Sequence, residues 1–66
     1  MKEITSKYEL EEMKNWYKQL RILGGHIEND VRINSYTNYI NIYNYVYDLH
    51  TNELIKIVVE EVENDK

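Results

Sequence analysis

The sequence predicts an α+β domain, one amphipathic helix packed on a three-stranded antiparallel β-meander in the order αβββ. Two observations predict it. Residues 7–23 carry apolar side chains at three- and four-residue steps, the period of a helix with one buried face. From residue 26 onward the period changes to two, and the chain becomes rich in β-branched and aromatic residues. Gly24 and Gly25, the only glycines, stand between the two periods.

The helix is read from its ends inward. Ser6 followed by Glu9 forms a capping box, in which the hydroxyl accepts from the backbone N–H three residues on and the carboxylate reaches back to the cap. Leu10, Met13, Tyr17 and Leu20, with Trp16 and Leu23 beside them, make the apolar stripe. Glu11, Glu12, Lys14, Lys18 and Arg21 take the other side. Arg21 in the last turn suits the helix dipole, and Gly24 suits the left-handed position just past the end.

Three strands follow, near residues 26–35, 39–48 and 54–62, joined by the turns "YTNY" and "LHTN". Asn38 and Asn52 are the turn residues best able to adopt positive φ. Register then decides everything about the surface, because a slip of one residue exchanges the two faces of a strand. A four-residue loop over Leu49–Asn52 places Val46 opposite Ile55 and Ile42 opposite Val59; a two-residue turn at Thr37 and Asn38 places Ile33 opposite Ile42. The two hairpins then agree on an aliphatic face of Val31, Ile33, Ile40, Ile42, Val46, Ile55, Ile57 and Val59, which should receive the helix. A three-residue loop in the second hairpin would instead pair Tyr43, Tyr45 and Tyr47 with Val59, Ile57 and Ile55 and send the tyrosines under the helix.

In the first register Tyr36, Tyr39, Tyr43, Tyr45 and Tyr47 lie away from the helix with Arg32, Leu54, Lys56 and Val58. Such a row of rings is either a set of good strand formers with their hydroxyls in water or an exposed apolar patch that marks an interaction site. Tyrosine offers a large contact area with only two side-chain torsions to freeze, so the second reading makes these five tyrosines, Arg32 and Lys56 the candidate protein-binding residues.

Composition bounds the remaining possibilities. A single domain of 66 residues buries only about 60% of its unfolded surface, and with no cysteine it has neither disulfides nor thiolate metal ligands to reinforce it. Oligomerisation is the remedy left open, and a homodimer is the simplest form of it. The lack of cysteine suits a reducing cytoplasm. No apolar run approaches the ~18 residues of a membrane span, and the N-terminus lacks the apolar core of a signal sequence. The net charge of −4 opposes general affinity for phosphate backbones. Arg32 and Lys56 alone make a poor electrostatic funnel, so an aromatic platform for single-stranded nucleic acid ranks second.

His26, Glu28 and Asp30 alternate along the first predicted strand, but one imidazole and two carboxylates fall short of a dedicated metal site. No nucleophile or acid–base pair stands out, and one helix on three strands encloses little space for one. The acidic run Glu60, Glu61, Glu63 and Asp65 reads as a solvated tail, or as a patch that steers the chain toward a basic partner. The expectation is therefore a non-enzymatic protein-binding module, without metal or cofactor, that acts in the cytoplasm as a homodimer and inhibits or regulates another protein. Richness in Asn, Ile, Lys and Tyr with no Pro points to an AT-rich coding sequence, which suits a phage or mobile-element inhibitor of a bacterial defence protein.

Overall fold

A computed structural model describes residues 1–62, so Glu63 and Asp65 of the predicted acidic tail lie outside the described residues. It corrects the predicted fold class. The architecture is a five-stranded antiparallel sheet with one short helix, mostly β, and not a three-stranded meander under a long helix. The strands are β1 (Lys2–Ile4), β2 (Arg21–Glu28), β3 (Val31–Thr37), β4 (Asn41–Asp48) and β5 (Leu54–Glu61), arranged β1-β5-β4-β3-β2. The helix α1 spans Lys7–Met13.

The start of α1 follows the capping reading, since the Ser6 side chain accepts from the Glu9 N–H at 3.4 Å. Its end does not. The chain leaves the α-helix after Met13, makes a single 3-10 turn over Trp16–Gln19, and enters β2 at Arg21. Aromatic contacts with the sheet hold the segment beyond the break. Trp16 meets the Tyr43 ring edge-on at 4.8 Å while its neighbour Tyr17 stacks on Tyr36 at 5.0 Å. Beyond them, β-branched Ile22 and the glycine pair favour helix little.

Gly24 and Gly25 therefore lie in the middle of a strand rather than between a helix and a sheet. Gly24 has φ +145, beside a β-bulge between Ile22 and Gly24. At Gly25 a Cβ would sit 2.7 Å from Asn34 Oδ1 and 2.8 Å from the Ile33 carbonyl, so the close approach of β3 requires glycine there. The single strand expected over 26–35 is corrected: it is broken at Asn29-Asp30, both at positive φ (48 and 65), the backbone that suits a two-residue hairpin between right-twisted strands, so its first residues end β2 and the rest belong to β3.

The turn between β3 and β4 falls two residues later than expected. Thr37 pairs with Ile42, and Asn38 keeps negative φ while its side chain accepts from the N–H groups of Ile40 and Asn41 at 3.1 and 2.9 Å. Tyr39 instead takes φ 80, an uncommon conformation for a bulky residue. A displacement of two residues leaves the faces of β3 and β4 unchanged.

The second hairpin decides which face the tyrosines take. Its loop is Leu49–Asn52 as expected, closed by the Asp48 N–H donating to the Glu53 carbonyl at 2.8 Å, with Asn52 at positive φ. Tyr47 opposes Leu54, but Val46 opposes Lys56, because Ile55 is an extra residue in a bulge. From there the register is the one expected of a shorter loop: Tyr45 opposes Ile57 and Tyr43 opposes Val59.

The predicted aliphatic core face is thereby corrected. Tyr36, Tyr43 and Tyr45 join Ile4, Leu10 and Ile57 in the core, with Met13, Trp16, Tyr17, Leu20, Tyr47, Leu54 and Val59 packed against them. Val31, Ile33, Ile42 and Val46 share the opposite face with Ser35, Asn44, Lys56 and Val58. Polar groups there are tied together: Ser35 Oγ donates to Asn44 Oδ1 at 2.6 Å, and Asn44 Nδ2 donates to the Val58 carbonyl at 3.1 Å.

Candidate binding surface

The seven residues predicted to form one binding patch occupy four different environments. Tyr36, Tyr43 and Tyr45 are core residues beneath α1 and the 3-10 turn, Tyr45 with no exposed surface. Their rings form one aromatic cluster, with Tyr36 edge-on to Tyr45 at 5.4 Å and Tyr45 stacked on Tyr47 at 6.5 Å. At the rim of the same face the Arg32 guanidinium lies 4.7 Å from the centre of the half-buried Tyr47 ring. Tyr39 is exposed in its turn, where its hydroxyl accepts from Arg21 Nη1 at 3.0 Å. Lys56 is on the other side of the sheet, paired with Glu3 at 3.5 Å. A platform of adjacent exposed rings, whether for protein or for stacked bases, is not what these positions build.

Electrostatics agree with a structural role. Burial pushes the Tyr36, Tyr45 and Tyr47 phenols above their ordinary pKa, because an ionised phenolate would be stripped of water among neighbouring rings. The Asp48 carboxyl is held below its ordinary value by the N–H groups of Thr51 and His50, which donate to Oδ1 at 3.0 and 2.8 Å and brace the loop.

The candidate metal trio does not assemble. His26 Nε2 is 3.2 Å from Glu28 Oε1, but Asp30 lies 3.7 Å from His50 across the neighbouring turn. Among the described residues no three such side chains gather in ligand geometry. No helix is long and apolar enough to cross a membrane among those residues.

What the fold does leave open is the edge of the sheet formed by β2. All eight of its residues are exposed, and α1 does not extend over it. Ile22 is 76% exposed, Leu23 54% and Ile27 62%. The partners Ile22↔Tyr36 and Ile27↔Arg32 place both isoleucines on the helix side of the sheet, next to the aromatic core but uncovered. Along its outer side β2 presents backbone N–H and C=O groups with no strand beyond it among the described residues, a ready template for another extended chain. The charged side chains Arg21 and Glu28, at its two ends, are ordinary guards of such an edge. Three large apolar residues between them are not.

The opposite edge, β1, is only three residues long. Reading residues 7–23 as one helix and 26–35 as one strand concealed β2, whose first residues fell in the helical reading and whose last fell in the strand. The signal that could have found it is "RILGGHIE", where β-branched Ile22 and Ile27 flank two glycines that no helix interior favours. No family model matches the chain, and no curated protein or solved structure matches it significantly.

Proposed function

We propose that the protein is a small non-catalytic protein-binding module whose recognition element is the β2 edge, acting by strand addition. The observation that carries the reading is the full exposure of an eight-residue edge strand with Ile22, Leu23 and Ile27 in water. Strand addition draws affinity from main-chain hydrogen bonds and selectivity from the side chains beside them. Both are available on β2. The displaced pKa values belong to core phenols and to the loop-bracing Asp48, groups engaged in holding the fold, which suits a module that binds rather than catalyses.

Regulation or inhibition of another protein is the biological role proposed for such a module, with the small size and net charge of −4 as its support. A photoreactive residue placed at Ile27 should crosslink to protein in the native extract, and the same residue at Lys56, on the other face, should not. Equal crosslinking from both positions, or none at position 27, would overturn the reading.

A further inference from the structure

Resting on the reading of β2 as the recognition edge, we propose that its occupant is a second copy of this chain. The two β2 strands pair antiparallel about a twofold axis at the glycine pair, with Arg21 opposite Glu28 of the partner subunit and Ile22 opposite Ile27 of the partner subunit. A twofold antiparallel pairing sets each residue against the one equally distant from the axis, so the strand must complement its own reverse. The stretch "RILGGHIE" does so. Read from its two ends, a cation meets an anion, isoleucine meets isoleucine, leucine meets histidine, and glycine meets glycine.

Facing is the demanding condition, and the bulge satisfies it at the two ends of the strand. Paired residues must point to the same side of the joined sheet, yet in a regular strand residues 22 and 27 point to opposite sides. The bulge between Ile22 and Gly24 inserts one residue, so that Ile22 opposite Tyr36 and Ile27 opposite Arg32 both point to the helix side. By the same shift Arg21, opposite Thr37, and Glu28, opposite Val31, both point to the other side. Between the ends the facing is out of phase at Gly24 and Gly25, where no side chain is misplaced but the outward N–H and C=O groups of the two strands do not meet, so the main-chain ladder is interrupted at the axis and the pairing rests on the two ends.

The result joins two five-stranded sheets into one. An Ile22–Ile27 pair lies on either side of the axis on the helix side, beside Tyr36, and an Arg21–Glu28 pair forms at each end of the other side. His26, already 3.2 Å from Glu28, adds a second basic group beside that carboxylate. Neighbouring registers lack this match. Sliding one position either way sets Arg21 against Ile27, or Ile22 against Glu28. The size of the chain supplies the incentive, since 66 residues bury only about 60% of their unfolded surface alone.

Sedimentation equilibrium on the full chain tests the proposal, with circular dichroism confirming that each variant is folded. The wild type should weigh twice 8.1 kDa at micromolar concentration. Arg21→Glu and Glu28→Arg, each placing like charges opposite one another at both ends, should weaken association by about tenfold. The double variant Arg21→Glu/Glu28→Arg restores opposite charges and should recover wild-type association. In a chain with no native cysteine, Ile22→Cys/Ile27→Cys should form a disulfide-linked dimer on mild oxidation.

A monomeric wild type would overturn the proposal, as would a dimer indifferent to the single charge swaps or not rescued by the double one. If the wild type is monomeric while crosslinking at position 27 still captures another protein, the strand-addition reading stands and the self-pairing falls. If position 27 captures nothing either, both fall.

Discussion

The Tyr45 hydroxyl donates to the Met13 carbonyl at 2.8 Å, joining the centre of the sheet to the last residue of α1. Met13 is where the helical hydrogen bonds run out, so its carbonyl has no partner further along the chain. A side chain with no exposed surface thus both fills the core and satisfies the end of the helix. A phenylalanine would fill the same space and leave the carbonyl unanswered.

Tyr45→Phe should therefore cost about 1 kcal/mol, and Tyr45→Ala about 3–5 kcal/mol, enough to unfold much of so small a protein. Ile57→Ala, at the facing core position, should cost about 2–5 kcal/mol. Ile42→Ala, on the other face and only half-buried, should cost less than about 2 kcal/mol. Denaturant melts check the ranking.

Alkaline pH should destabilise the protein through the same residues. The folded pKa of Tyr36, Tyr45 and Tyr47 is raised, chiefly by burial. Their contribution to stability is therefore complete below the unfolded value, near pH ~10, and is lost as pH rises above it toward the folded values. The melting temperature should fall steeply above that point, and less steeply in Tyr45→Phe.

Acid acts through Asp48. Its folded pKa is lowered by the N–H groups of Thr51 and His50, so its contribution is present above the unfolded value of ~3.9 and is lost as pH falls through the folded one. Asp48→Asn keeps an acceptor oxygen but not the charge. Melts of this variant between neutral pH and pH ~3 should lack the part of the acid-induced loss that Asp48 supplies.

Gly25→Ala should weaken the docking of β2 on β3 by about 1–3 kcal/mol, because the new Cβ meets Asn34 Oδ1 and the Ile33 carbonyl inside contact distance. Faster amide exchange in residues 21–28, with β4 and β5 unaffected, would locate the effect. Unchanged exchange there would contradict the close approach.

Part of this fold was legible in the sequence. Ser6 marks the start of α1, the period of two marks β4 and β5, and the loop at Leu49–Asn52 has the expected length, whereas the strand read over 26–35 is divided between β2 and β3 by the Asn29-Asp30 turn. Local signals of this kind depend only on near neighbours. The bulge at Ile55 depends on the packing of β5 across β4, and it alone moved Tyr43 and Tyr45 from the predicted outer face to the core. β1 is too short to show any period. The end of α1 was concealed because Trp16 and Tyr17 fit a helical stripe, although their rings are held by Tyr43 and Tyr36 in a 3-10 turn. The candidate site moved with the faces, from the tyrosines to a strand that the helical and strand readings had divided between them.

The most direct test of β2 as the edge that pairs with a second copy is the rate of amide hydrogen exchange along the chain, measured by NMR across a dilution series. With rising concentration the exchange of residues 21–28 should slow, as their outward N–H groups find acceptors in a second chain, while Lys2–Ile4 at the other edge should be unaffected. Exchange in residues 21–28 that stays unchanged at every concentration, or slowing confined to β1 or α1, would contradict the self-pairing.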